Sequence, residues 1–454
     1  MMHELTSKYN VPGPRYTSYP TVPYWDVENF SLEKWKSSLQ KSFRESNKEE
    51  GISLYIHLPF CESLCTFCGC NKRITKNHQV EIPYIESILS ELKLYVALFD
   101  EKPKVKQLHL GGGTPTFFSP EHLERLMDGI FSLTKKAEDA QISFEGHPNN
   151  TTKDHLDTLA KIGFNSVSYG VQDYNMAVQI AINRIQPFEN VKAATVNARE
   201  SGYTSVGHDI IYGLPYQTEE DIHRTIDKTI ELQPDRIAFY SYAHVPWIKG
   251  NGQRGFKEEN LPMPETKRRQ YEEGKRRLIA AGYVEIGMDH FALPTDALYH
   301  ARENGSLHRN FMGYAASKTQ LMIGLGVSAI GDSWYSFAQN VKKLEEYQAL
   351  VANGNFPVFK GHSLTEEDLI IRKHILQLMC SFYTSWEDKE AVFDEIPEVL
   401  EKLEEMEKDE LIEITPTSIR VTEIGKPFVR NVCLPFDLRL QRKQPDTQLF
   451  SMTI

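Results

Sequence analysis

Long hydrophobic runs are missing from this 454-residue chain. The most apolar stretch, LMIGLGVSAIG at 321–331, falls far short of the ~20 residues of a membrane span and is broken by glycines. The start, MMHELTSKYN, lacks the basic residues and apolar core of a secretory signal, so a cytoplasmic location without membrane insertion is expected. A surplus of positive charge is lacking too. Lys and Arg number 51 against 62 Asp and Glu, a net charge of −11, which argues against a general nucleic-acid or acidic-membrane binder. Cysteine is scarce, with six in all. In a reducing compartment thiols bind metal or do redox chemistry more often than they form disulfides.

The few cysteines that exist are concentrated. Residues 57–71 read HLPFCESLCTFCGCN, with Cys61, Cys65, Cys68 and Cys70 spaced Cys-x3-Cys-x2-Cys-x-Cys. At this composition about 0.1 cysteine is expected in any ten residues, so the cluster points to a purpose. A structural zinc site wants four ligands, usually as two spaced pairs, and no second Cys/His pair stands out. Three thiolates on one loop can each hold one iron of a [4Fe–4S] cube and leave the fourth iron open for chemistry. Zinc or inert thiols are the competing readings.

Around this loop runs a strand–helix rhythm. SLYIHLPF, KQLHLGGG, QISFEGHP, NSVSYGVQD, TSVGHDIIYGLP and RIAFYSYAHV read as six strands. The segments between them have helical apolar spacing, as in Ile85, Ile88, Leu89, Leu92 and Val96. Such alternation implies an α/β fold of parallel strands with right-handed crossovers, closed as a doubly wound sheet or a complete or partial barrel. Function should gather at the C-terminal strand ends. There lie Gly111, Gly112 and Gly113, then Glu145, Gln172 with Asp173, Asp209, and Ala243 with His244. Each alone reads as a turn, cap or solvated group; with the cysteines they read as a ligand site. We expect three parts. Residues 1–50 form an extended, proline- and tyrosine-rich arm and a helix, 51–362 the catalytic unit, and 363–454 a mostly helical, winged-helix-like domain with the strand pair LIEITPTSIRVT.

Cys61-x3-Cys65-x2-Cys68 with Phe67 before the last cysteine resembles the radical S-adenosylmethionine (SAM) signature. CTFCGCN, PGPRYTSYPT, GGGTPT, GVQD, GLPYQT, YSYAHVP, GMDHFA, LHRNFMGY and GVSAI more narrowly resemble the oxygen-independent coproporphyrinogen III oxidase family. The resemblance implies a partial (β/α)6 parallel barrel of radical-SAM type. It implies an enzyme, a radical-SAM oxidoreductase, that decarboxylates two propionates of coproporphyrinogen III to vinyl groups through a 5′-deoxyadenosyl radical and gives protoporphyrinogen IX in haem biosynthesis. A haem-binding chaperone on the same scaffold is the alternative. By the same resemblance Cys61, Cys65 and Cys68 ligate the cluster, and Tyr55, Gly112 and Glu145 hold S-adenosylmethionine. Phe67, Gly113, Thr114, Gln172, Arg184, Asp209, Ala243 and Ile330 line a second cofactor site. Cys70 matches a position that is not a ligand. Where the family often has Glu-x-Asp-Pro, this chain has Glu145-Gly146-His147-Pro148.

A tetrapyrrole with four carboxylates needs cations. Arg15, His290, His308 and Arg309 are the candidates, with Tyr16 and Tyr19 as aromatic surfaces on an N-terminal arm that closes over the substrate. A reduced flavodoxin-like or ferredoxin-like electron donor, a monomeric chain and no nucleic-acid partner complete the expectation.

Overall fold

The computed structural model describes residues 2–246, 253 and 255–453. All six expected strands are present: β1 (Ile52–Leu58), β2 (Lys104–Gly112), β3 (Lys135–Gly146), β4 (Ser166–Gln172), β5 (Ser205–Tyr212) and β6 (Arg236–Ser241). They pair in that order and all are parallel. The apolar run at 321 is a seventh parallel strand. Val284–Gly287 and His290–Ala292 (β7, β8) lie beyond β6, while Leu321–Leu325 (β9) pairs with the free side of β1. Ile330–Asp332, Ser336–Asn340 and Val358–Ser363 (β10, β11, β12) extend that side antiparallel. One twelve-stranded sheet results, in the order β12-β11-β10-β9-β1-β2-β3-β4-β5-β6-β8-β7. Every residue of β9 is buried, which is why it reads as an unbroken apolar run rather than an alternating one.

Helices fill the crossovers. Ahead of them in the chain come α1 (Met2–Tyr9) and α2 (Leu32–Ser46); then follow α3 (Glu81–Val96), α4 (Pro120–Leu133), α5 (Lys153–Ile162), α6 (Met176–Ala181), α7 (Phe188–Glu200), α8 (Glu219–Leu232) and α9 (Pro264–Ala280). The stripe read from the sequence is the buried face of α3. Ile85, Ile88 and Leu92 are fully enclosed against the sheet, with Leu89 and Val96 packed beside them. Thr152 and Thr218 start α5 and α8 with reciprocal capping boxes, and Gly163 ends α5 at φ +112, a backbone angle few other residues tolerate.

Alternate side chains of β2 to β6 point to the concave face. Gln107, His109, Ser143, Glu145, Ser168, Asp209 and Tyr240 line one cavity with about 1540 Å³ of empty volume. This lumen is what the curved sheet encloses.

The C-terminal part is helical with a small wing. Helices Glu366–Ser381 and Ile396–Lys408 accompany a three-stranded sheet of Tyr383–Ser385, Ser418–Val421 and Ile412–Ile414. The first fifty residues divide between two cores. In α2, Trp35, Leu39 and Phe43 pack on the main sheet, whereas Tyr9, Tyr16 and Tyr19 are buried in the C-terminal core. Pro12 pairs with Met452, and Arg430 donates to the Pro14 carbonyl at 2.9 Å and to that of Gly13. The arm is thus anchored on the C-terminal part by both side chains and backbone.

Candidate active site

The cysteine loop leaves β1 at its C-terminal end. Phe60–Cys61 pairs with Arg73–Ile74, so the chain departs and returns over one short ladder that pins both ends of the loop. Within it, Cys68 N donates to Cys65 O at 3.2 Å, and Thr66 N donates to Ile182 O at 2.9 Å, docking the loop on the segment after α6. The thiols of Cys61, Cys65 and Cys68 are free and partly exposed, and they share an open cleft of about 560 Å³. Each sulfur has its own donor. Thr114 Oγ1 donates to Cys61 Sγ at 3.4 Å, Arg184 Nη1 to Cys65 Sγ at 3.7 Å, and Cys70 N to Cys68 Sγ at 3.4 Å. Such donors stabilise thiolates and tune a bound cluster. The Cys70 hydrogen bond, with Lys72 and Arg184 nearby, holds the Cys68 thiol below its ordinary value.

The glycines at the end of β2 bring the backbone to this cleft. Gly113 N donates to Leu58 O at 2.8 Å and Thr114 N to Phe60 O at 2.9 Å. Gly112 sits at φ +112, and a Cβ there would meet the His57 ring at 2.7 Å. Only glycine fits. Gly112 N also donates to Glu145 Oε2 at 3.2 Å, which joins the cysteine cleft to the lumen.

Glu145 stands on the lumen side of that junction. Burial pushes its carboxyl up, but the His109 hydrogen bond at 3.4 Å, Gly112 N–H and His57 hold it below the ordinary range, so it is a carboxylate at neutral pH. The Tyr55 ring stacks on His109 with centroids 6.2 Å apart, and its hydroxyl hydrogen-bonds with His57 Nδ1 at 3.0 Å. Asp209, deeper along β5, accepts from Ser168 Oγ at 2.9 Å, and burial raises it to about 7.

Beside the cleft, Gln172 has φ +67 and a buried Oε1 without a partner among the described residues. Arg184 donates from Nη2 to Gly170 O at 2.7 Å, and its buried Nε is likewise unpartnered. Ala243 belongs to the same neighbourhood through Gln253, whose Nε2 donates to both Ala243 O at 2.8 Å and Phe67 O at 3.3 Å. Phe67 itself packs on the small core around Ile182 and Tyr242. Ile330 lies on the other flank: its backbone crowds Gly324, the register partner of Tyr55. Asp173 is enclosed in the fold, accepting from Gln217 Nε2 at 2.6 Å. His147 lines the cysteine cleft, and burial with the nearby Arg184 charge lowers it to about 3, so it is neutral where the family's aspartate would be charged.

The candidate substrate cations meet different fates. Arg15 is ion-paired with Asp289, its guanidinium 5.6 Å from the Tyr240 ring centroid. Burial lowers His290 to about 4 and His308 to about 3, so neither is a cation at neutral pH. His290 does line the lumen, with Nε2 3.3 Å from the Tyr240 hydroxyl. Arg309 is buried over the Tyr314 ring at 4.5 Å and donates from Nη2 to Arg15 O at 3.2 Å, while Nε and Nη1 find no partner among the described residues. Tyr16 and Tyr19 are core residues, 4% and 1% exposed.

Sequence reasoning missed His57, His109, Lys72 and Gln253. His109 had a signal: it lies two residues before Gly111 and so shares its face of β2. Lys72 Nζ, which donates to Cys68 O and Cys70 O at 3.2 Å each, and Gln253 carried none.

Three clustered thiols at the C-terminal ends of a curved parallel sheet define the class. The radical SAM superfamily model matches residues 55–229. Across nearly its whole length the chain resembles curated proteins named oxygen-independent coproporphyrinogen III oxidase. That of Helicobacter pylori strain J99 is 39% identical over 446 residues, 96% of each chain. That of Escherichia coli K12 is 39% identical, covering 97% of this chain and 95% of that one. The solved coproporphyrinogen III oxidase from Escherichia coli, described as a radical SAM enzyme, superposes with a TM-score of 0.87 over 93% of this chain and 97% of that one. The chain belongs to the oxygen-independent coproporphyrinogen III oxidase family. A [4Fe–4S] cluster and S-adenosylmethionine go with that membership.

Proposed function

We propose that this protein catalyses the oxygen-independent oxidative decarboxylation of two propionates of coproporphyrinogen III to vinyl groups, giving protoporphyrinogen IX in haem biosynthesis. The observation that carries this reading is the cysteine cleft joined to a large lumen by the Gly112–Glu145 hydrogen bond, in a chain 39% identical to an oxidase of that name. The site fits the cofactors. Three free thiols have one donor each, and the unpartnered Gln172 Oε1 and Arg184 Nε mark polar capacity that the protein leaves open.

Bound there, the cluster and S-adenosylmethionine supply one-electron chemistry able to remove a hydrogen atom from an unactivated C–H bond, which no polar side chain can take as a proton. The residues of the chain bind and orient. Cys61, Cys65 and Cys68 hold three irons. Glu145 receives the cationic amine of S-adenosylmethionine while Tyr55 and the Gly112 backbone fix its position. Phe67, Gly113, Thr114, Gln172, Arg184, Asp209, Ala243 and Ile330 would serve a second cofactor molecule, with Arg184 as the cation for its carboxylate. From the substrate, the propionate carbon β to the carboxylate loses a hydrogen atom, and loss of CO2, with one electron passed to an external one-electron acceptor, leaves the alkene. Arg309, a buried cation with open donors, is the candidate carboxylate partner. A reduced flavodoxin-like or ferredoxin-like protein supplies the electron, and the chain works as a cytoplasmic monomer.

Reduced, anaerobically reconstituted protein given coproporphyrinogen III and S-adenosylmethionine should release CO2 and the divinyl product. Stable haem capture without turnover would instead support a chaperone, a reading the comparisons do not favour.

A further inference from the structure

Next to the lumen, a second, partly open pocket lies where the N-terminal arm, α9, the β7–β8 turn and the C-terminal part meet. It is basic: Arg15, Lys267, Arg268, Lys426 and Arg430 face it against Glu285 and Asp289. Most of these charges are matched. Asp289 pairs with Arg15, Glu285 is 2.7 Å from Lys275, Arg268 pairs with Glu272, and Lys426 is 2.5 Å from Glu423. Lys267 and Arg430 differ. Among the described residues neither has a carboxylate within ion-pair distance. Lys267 Nζ donates to Tyr242 O at 3.2 Å, and Arg430 donates only to the carbonyls of Gly13, Pro14 and Met452.

Two half-enclosed or buried cations that share one pocket without a counter-charge repel each other and lose hydration. The electrostatics agree: burial, Arg15 and Arg430 lower Lys267 to about 8, and burial and Arg15 lower Arg430 to about 9. Tyr212 and Tyr271, which also face the pocket, are pushed up by burial and stay protonated. The pocket adjoins the lumen through Arg15, which lies over Tyr240 of the lumen wall.

We propose that this pocket receives a propionate carboxylate of the tetrapyrrole, one remote from the reacting arm, with Lys267 as its ion-pair partner. This rests on the tetrapyrrole reading of the active site. Anchoring one arm here while another lies in the lumen would fix which propionate reaches the cofactor.

The test is fluorescence titration of the reconstituted holoprotein with coproporphyrin III, the oxidised tetra-acid, and with its tetramethyl ester. Lys267→Gln should weaken tetra-acid binding about tenfold or more and leave ester binding unchanged, with Lys267→Arg restoring most of the loss. Wild-type affinity for the tetra-acid should fall as pH rises past about 8, where Lys267 loses its proton. Equal affinity of wild type and a folded Lys267→Gln, or a flat wild-type profile across that range, overturns the inference. So does inorganic phosphate displacing the tetra-acid at comparable concentration, which would make the pocket a general anion site. Failure of wild type to convert coproporphyrinogen III would overturn the proposed function instead.

Discussion

At the residue scale, the four clustered cysteines divide into three thiols that face one cleft and Cys70, which contributes its backbone N–H. Alanine at Cys61, Cys65 or Cys68 should abolish bound iron and sulfide in anaerobically reconstituted protein. Cys70→Ala keeps that N–H and should retain the full complement by the same analysis. Asp209 gives a second prediction. Its carboxyl is raised to about 7 in the folded protein, against about 4 when unfolded, so the folded state holds the extra proton between those values. That part of the stability is present below pH 4 and is lost as pH climbs to 7. Asp209→Asn keeps an acceptor for Ser168 and should stabilise the cofactor-free protein at pH 8 by on the order of 2 kcal/mol, allowing for solvent screening, with no gain at pH 4. Denaturant melts at the two pH values check both the size and the sign.

At the scale of elements, the strands were legible because the side packed on the helices demands β-branched and aromatic residues in short runs, and the helices because their buried stripes repeat at 3.6 residues. β9 escaped because a buried strand as rich in glycine as LMIGLGV carries no alternation, only apolarity. The glycines and Glu145 were legible as strand ends; His57 and Gln253 were not, since their roles arise from contacts between segments distant in sequence. The seam between the helix Glu366–Ser381 and the short helix Leu438–Arg442 is of the same kind. There Arg439 donates twice to fully buried Asp368, at 2.7 and 2.8 Å. Burial opposes ionisation, but Arg439, His362 and Thr365 together hold the Asp368 carboxyl far below its usual range. This stability is present at neutral pH and is lost only on strong acidification below the unfolded value near 4. Arg439→Ala strands that carboxylate and should cost about 3–5 kcal/mol, read by thermal or denaturant unfolding.

For the whole molecule, the anchoring of the arm changes what a truncation can report. Tyr9, Tyr16 and Tyr19 are part of the C-terminal core, so removing residues 1–30 should lower the melting temperature as well as activity. The sheet and the C-terminal part place three thiols in one cleft, a carboxylate in the adjoining lumen and a basic pocket beside that lumen. The central claim is that a [4Fe–4S] cluster held by Cys61, Cys65 and Cys68 drives decarboxylation there. Its most direct measurement is a reduced, anaerobic reaction of reconstituted protein with coproporphyrinogen III and S-adenosylmethionine, following 5′-deoxyadenosine, CO2 and the divinyl porphyrinogen together. The account predicts all three from wild type and none from Cys65→Ala; wild-type protein with a full cluster that forms none of them would contradict it.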